Sequence, residues 1–154
     1  MKKSKFSITE KDKSMVELVN KTDHKILALW AIDCVERVLP YFEDKYPNDN
    51  RPREAIKTLR KWISDGVFTM KDIRKASLDA HAAARDVVED NAARSAARAA
   101  GQAVATAHVP THSIGAANYS LQAINIATHF SDTSLTKERD WQYQHLKELR
   151  RNLM

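Results

Sequence analysis

The amino-acid sequence predicts an all-α fold, a bundle of about six or seven helices that can stack as antiparallel pairs. Two observations support this fold class. Only three glycines and four prolines interrupt the 154 residues, and 14 alanines lie within the 33 residues from Ala76 to His108. Alanine has the highest helix propensity of all residues, and β proteins contain more turn residues. We expect one helical domain over residues 1–154, with residues 1–8 flexible.

The helical spacing of apolar residues divides the chain into seven segments. Pro40 ends the second segment because its ring clashes with a continuing helix, and Gly66 can stop the third. The stretch from residue 41 to residue 51 carries proline, asparagine and aspartate residues, and it is expected to be a loop. The predicted helices cover residues 9–20, 22–39, 52–64, 69–90, 92–107, 112–130 and 134–153.

Polar side chains stand where three of these helices begin. Ser7, or the threonine two residues later, can cap the first helix. Thr22 or Asp23 can accept hydrogen bonds from the free backbone N–H groups of the second helix. Thr69, with Asp72 three residues later, resembles a capping box at the start of the fourth helix.

The helix predicted over residues 92–107 is expected near the centre of the bundle. Its alanines and glycine bury little area, but they let a neighbouring backbone approach at the short end of the usual separation of about 8 to 10 Å. A polar stripe runs along the same helix. Arg94, Arg98, Gly101, Ala105 and His108 form this stripe, spaced by four, three, four and three residues.

This stripe has two interpretations. In the functional one, Gly101 opens room beside Arg98 for a pocket or a recognition surface that accepts an acidic partner. In the structural one, Arg98 is half-buried and pairs with a carboxylate such as Asp33 or Asp79. His81 and Arg85 share a face of the preceding helix and would form a polar seam between helices. Both interpretations predict that loss of Arg98 is harmful.

The sequence contains no recognisable catalytic or metal-binding motif. His108 and His112 are four residues apart, but Pro110 between them disrupts the helical geometry that a metal-binding pair requires. A zinc site needs three or four ligands, and His81 is distant in sequence. Cys34 has no neighbouring histidine, and three scattered glycines form no phosphate-binding loop. We therefore expect no catalytic residue, no metal and no cofactor.

Composition also limits the compartment and the partners. The net charge of +5 is a mild bias toward acidic partners and is not a nucleic-acid signature. The basic amino terminus is not followed by the apolar run of a secretory signal, and no stretch is apolar enough to span a membrane. Cys34, the only cysteine, has apolar neighbours and is expected to be a buried thiol. We expect a cytoplasmic protein.

A second candidate site is charge-lined and would bring together Asp33, Asp49, Arg51, Arg53 and His81, because loops hold many functional groups. A basic run also begins in this region and is opposed by a single glutamate. It could contact phosphate, although a solvated helix face is the more usual role of such a run. The run consists of Arg51, Arg53, Lys57, Arg60 and Lys61.

An ordered series of motifs between about residues 25 and 130 resembles a family of alanine-rich helical immunity proteins of bacterial polymorphic toxin systems, the immunity-protein-five-like family. The motifs are Trp30-Ala-Ile-Asp33-Cys34, Asp49-Asn-Arg51-Pro52-Arg53-Glu-Ala-Ile56, Ala80-His81-Ala-Ala-Ala-Arg85, Arg98-Ala-Ala-Gly101-Gln102 with His108 and His112, and Gly115-Ala-Ala-Asn-Tyr119.

The resemblance implies a protein that binds a cognate toxin non-covalently and blocks its active surface without turnover. Such binding depends on a few anchor residues. A nucleic-acid-associated, exonuclease-like accessory role and a metal-dependent hydrolase stay open as alternatives, as does a homodimer. The candidate binding residues are Asp33, Asp49, Arg51, Arg53, His81, Arg85, Arg98, His108 and His112.

Overall fold

The computed structural model describes residues 10–154, with side chains from residue 12 onward. All regular elements of this part of the chain are helices, which confirms the all-α class. The predicted caps of the first helix and the predicted flexibility of residues 1–8 concern positions outside the described residues. The eight described helices are α1 (Glu10–Asn20), α2 (His24–Glu36), α3 (Pro40–Glu43), α4 (Arg51–Asp65), α5 (Met70–Asp86), α6 (Ala92–Ala105), α7 (His112–Ala127) and α8 (Asp132–Leu153).

The prediction missed the short helix α3, so the expected six or seven helices were too few. The second helix ends at Glu36 instead of continuing to Pro40, and a turn follows it. Pro40 is then the first residue of α3, a position where its missing N–H leaves no hydrogen bond unmade. Four residues are too few to show a helical period, and Phe42 is buried in this segment.

Two predicted caps are wrong, and one predicted helix stop is confirmed. Asp23 and Thr69 occupy the N-cap positions of α2 and α5, but neither side chain makes a capping hydrogen bond. Thr22 instead donates its hydroxyl proton to the carbonyl of Leu18. Gly66 ends α4 with a φ of +71°, in the left-handed region that favours glycine.

The connection from α5 to α6 begins earlier than predicted, because α5 ends at Asp86. Arg94 donates from Nη2 to the carbonyl oxygen of Val87 at 2.7 Å, so a side chain of α6 satisfies a free carbonyl at the end of α5. Asn91 caps α6, because its side chain accepts from the Arg94 backbone N–H at 3.1 Å. These two contacts fix the start of α6 against the end of α5.

Helix α6 contacts α2, α3, α4, α5 and α7, which confirms its predicted central position. Nine of its 14 residues are buried, and all of these except Val104 are alanine, serine or glycine. Small side chains leave little volume between the helices, so neighbouring helices can pack against α6 on several sides. The larger apolar side chains of the core come from α2 and α4, including Ile32 and Leu59.

A second apolar cluster joins α1, α2, α7 and α8 around Trp30. The fully buried Trp30 donates its indole N–H to the carbonyl of Gln142 at 2.9 Å. Gln142 in turn donates from Nε2 to the carbonyl of Ala117 at 3.0 Å, and its Oε1 accepts from Arg139 at 2.8 Å. These hydrogen bonds satisfy polar groups that α8 carries into the interior.

Cys34 lies in this second cluster and is fully buried, as predicted. Burial raises the pKa of its thiol well above the ordinary value, and the nearby carboxylates of Asp33 and Glu138 raise it further. The thiol therefore stays protonated and lacks the thiolate character of a nucleophile. Among the described helices, none combines the length and hydropathy of a membrane-spanning segment.

Candidate functional site

Helices α5 and α6 meet at His81 and Gly101. A Cβ added to Gly101 would lie 2.7 Å from Nε2 of His81 and 2.9 Å from two ring carbons, closer than real Cβ contacts allow. One turn away, Ser77 donates its hydroxyl proton to the Gly101 carbonyl at 3.0 Å. The glycine therefore provides the space that the imidazole occupies, and the serine holds the two backbones together.

Arg98 lies beside the same imidazole, with its Nη1 at 3.3 Å from Nδ1 of His81. A guanidinium only donates, so Nδ1 must accept this hydrogen bond. His81 is therefore neutral in this arrangement, with its proton on Nε2, the nitrogen that faces Gly101. A protonated His81 would lose this hydrogen bond and would repel the guanidinium.

The electrostatic surroundings of His81 also favour its neutral form. Burial lowers the pKa of His81 below its ordinary value, and the charges of Arg98, Arg85 and His112 lower it further. All of these neighbours are basic groups. The basic side chains that surround His81 thus come from three different helices.

Helix α7 adds His112 to the group through Gln102 of α6. The His112 Nδ1–H donates to Oε1 of Gln102 at 2.9 Å. Gln102 lies against Gly115, where an added Cβ would be 2.7 Å from its Oε1. We call the five side chains His81, Arg85, Arg98, Gln102 and His112 the α5–α6–α7 seam.

The seam contains four of the candidate residues named from the sequence, and it adds Gln102. Gln102 was missed as a site residue because one amide in an alanine-rich helix gives no chemical signal. Gly115, next to small residues in α7, was the available sequence signal that a side chain of another helix packs there. His108 lies outside α6 and is exposed, with its ring stacked on Phe68 at 6.0 Å between centroids.

The charge-lined candidate site does not form as one group. Arg51 pairs with Asp49 at 2.7 Å and with Asp86 at 2.8 Å, at the end of α5. The hydrogen bonds from Arg51 lower the pKa of Asp49. A shallow depression of about 580 Å³, lined by residues 45–51, lies at this connection. The Arg51 guanidinium is thus already occupied by two carboxylates.

Arg53 belongs to a separate group of charged side chains from α2, α3 and α4. Its guanidinium pairs with Glu36 at 2.8 Å and with Glu43 at 2.9 Å. Arg60 also pairs with Glu36, at 3.1 Å. Carboxylates of α2 and α3 thus oppose two arginines of the basic run, which sequence spacing could not reveal.

The carboxylates proposed as partners of Arg98 are engaged elsewhere. Asp33 pairs with His145 of α8 at 2.7 Å, and Asp79 pairs with Lys75 at 2.6 Å. The structural interpretation that gave Arg98 a carboxylate partner is therefore wrong, because its polar neighbour is His81. In residues 12–154, no group of three or more histidine, cysteine or acidic residues is arranged to hold a metal ion.

Comparison with known protein families assigns this chain to one family. The family described as "Imm-5 like putative immunity protein" matches residues 17–149. The chain belongs to this immunity protein family. The match extends past the motifs recognised in the sequence at both ends, and it includes every residue of the α5–α6–α7 seam. No curated protein and no solved structure shows significant similarity to the chain.

Proposed function

We propose that the protein binds a cognate bacterial toxin and neutralises it by non-covalent contact, without turnover. The observation that carries this proposal is the family match over residues 17–149. An inhibitor that acts by covering a surface needs a rigid contact area with a few anchors and needs no reaction centre. The proposal includes a cytoplasmic location, in keeping with one unpaired, buried cysteine thiol.

We assign the toxin contact to the α5–α6–α7 seam. Its side chains come from three helices that small residues hold closely together, so their relative positions are fixed before binding. Preorganised groups lose little conformational entropy when a partner binds. The exposed Arg85 and the half-buried Arg98 pair with no carboxylate of residues 12–154.

Exposed apolar side chains supply a second part of the proposed contact. Val67, Phe68 and Met70 lie at the start of α5, and Val109 lies between α6 and α7. The stacking of Phe68 on His108 shows that these two connections meet. Protein interfaces combine such apolar anchors with surrounding polar groups.

The basic run on α4 supports a protein partner over a nucleic acid. Arg51, Arg53 and Arg60 already pair with carboxylates of the same chain. Phosphate groups would have to displace these carboxylates before the phosphates could contact the guanidinium groups. Non-specific nucleic-acid binding depends on cations that are free to neutralise phosphates.

The test is co-expression of the protein with a toxic product of an adjacent gene, scored as growth of the host and as co-purification. Growth should recover and the two proteins should purify together, whereas the toxin with an empty vector should arrest growth. Growth arrest despite good expression of the folded protein would contradict the proposal.

A further inference from the structure

Arg98 is the unusual group of the α5–α6–α7 seam, because it is a half-buried guanidinium without an anionic partner. Arg94 and Arg150 are also half-buried without a carboxylate partner, but each donates to a backbone carbonyl. Further arginines of the described chain pair with carboxylates. Arg53 contacts two glutamates, and the more deeply buried Arg139 contacts Asp12 at 2.9 Å. Charged groups removed from water are normally paired in this way.

Most of the donors of Arg98 remain available for a ligand. A guanidinium carries five N–H groups, and one of them is directed at His81. In the described part of the chain, Arg94 Nε is the only buried side-chain nitrogen or oxygen without a hydrogen-bond partner. The remaining Arg98 nitrogens are therefore not fully buried, and they have no hydrogen-bond partner within the described chain.

The neighbours of Arg98 add positive charge and hydrogen-bond donors. Arg85 is exposed at the rim, and His112 faces the group from α7. His112 donates from Nδ1 to Gln102, so its Nε2 donates to an anion only when the ring carries a second proton. A guanidinium fork matches the two oxygens of a carboxylate, so a single anionic group is the ligand that this geometry suits.

We propose that the α5–α6–α7 seam receives the carboxylate of an aspartate or glutamate side chain of the partner protein, held by Arg98 with Arg85 at its rim. The proposal rests on the toxin-binding function above and adds the chemistry that the partner must present. A protein is favoured as the source because exposed apolar residues, including Phe68 and Val109, lie at the α5 and α6 connections. An extended nucleic acid would need a line of free cations, and three of the five cations of the α4 run are paired.

The experiment uses the full chain and hexaglutamate as a probe, followed by NMR through the ring signals of His81 and His112. Hexaglutamate should shift these signals at low salt and raise the pKa of His81, because a bound anion offsets the neighbouring positive charges. Arg98→Gln should weaken binding about fivefold, which corresponds to about 1 kcal/mol. Arg85→Gln should weaken it about twofold, since a solvent-exposed ion pair contributes little.

Arg60→Gln is the matched control, because it removes an exposed arginine from α4 and should leave binding unchanged. Arg85 is exposed, so its variant tests the site even if Arg98→Gln disturbs the fold. The absence of shifts in the wild-type protein, or equal affinity in the wild type and the two seam variants, would overturn the proposal. Tighter, Arg98-dependent binding of hexathymidylate would overturn it in favour of a nucleic-acid partner.

This assay contains no toxin, so it separates the two proposals. If the protein protects cells but does not bind hexaglutamate, the proposed function stands and the carboxylate site is refuted. If the protein binds hexaglutamate through Arg98 but does not protect cells, the carboxylate site stands and the proposed function is refuted.

Discussion

Arg37, the C-cap residue of α2, holds the buried carboxylate of Glu138 of α8 with two hydrogen bonds, at 2.7 and 2.9 Å. The side chain of Arg37 is 42% exposed, whereas that of Glu138 is only 8% exposed. The guanidinium also lies over the ring of Trp141, 3.9 Å from its centroid. Removing Arg37 would therefore leave a buried charge without a partner, whereas removing the charge of Glu138 would leave an exposed one.

Arg37→Ala should destabilise the protein by about 3 kcal/mol, because it leaves a charged carboxylate buried without a partner. Glu138→Gln should cost about 1 kcal/mol, because the exposed Arg37 can be hydrated instead. Urea unfolding of both variants measures the difference. Arg60→Ala is the control and should cost less than about 0.5 kcal/mol, since its pair with Glu36 is more exposed. Equal losses for Arg37→Ala and Glu138→Gln would contradict this account.

The contact between His81 and Gly101 predicts that two substitutions are coupled. In the wild type, Gly101→Ala gains about 1 kcal/mol of helix propensity, and the clash with the imidazole offsets this gain. In a His81→Ala background the clash is absent, so the same change should stabilise the protein by about 1 kcal/mol.

A double-mutant cycle of unfolding free energies measures this coupling. An interaction energy of about 1 kcal/mol or more is expected for side chains in such close contact. Ala97→Gly, at a buried position of α6 outside the seam, serves as the control and should lose similar stability in both backgrounds. Additive effects of His81→Ala and Gly101→Ala would show that the imidazole does not occupy this space.

The lowered pKa of His81 predicts a pH dependence of stability. The unfolded chain binds this proton with the ordinary pKa of 6.5, whereas the folded protein binds it less readily. The contribution of His81 is therefore fully present above that value and is lost as the pH falls toward the lower, folded pKa. The unfolding free energy should fall between about pH 7.5 and pH 5.5.

His81→Gln should reduce this slope, because the variant cannot take up the proton. His108→Gln removes an exposed histidine and serves as the control. Urea unfolding at both pH values checks the prediction, and an unchanged slope in His81→Gln would refute it.

The sequence predicted the all-α class and the central alanine-rich helix because both follow from local propensity and spacing. The same reasoning grouped His81 with Arg85 and placed Arg98 and Gly101 on one helix face. It could not show that His81 occupies the space beside Gly101, because that contact depends on how α5 packs against α6. It also could not pair Arg53 with Glu36 and Glu43, which approach from other helices.

Two sequence predictions of local structure failed. The capping box of Thr69 and Asp72 has the correct spacing, but the Thr69 side chain makes no capping bond. The loop predicted after Pro40 contains a helical turn that buries Phe42. Single-domain organisation and the homodimer stay predictions.

The most direct measurement of the central claim is the growth protection given by Arg98→Gln against the toxin that the wild type neutralises. We expect Arg98→Gln, folded and expressed at the wild-type level, to protect less well than the wild type, because the seam holds the carboxylate of the partner less tightly. Arg60→Gln, which changes an arginine already paired with Glu36, should protect like the wild type. Full protection by Arg98→Gln together with Arg85→Gln in one chain would contradict the account.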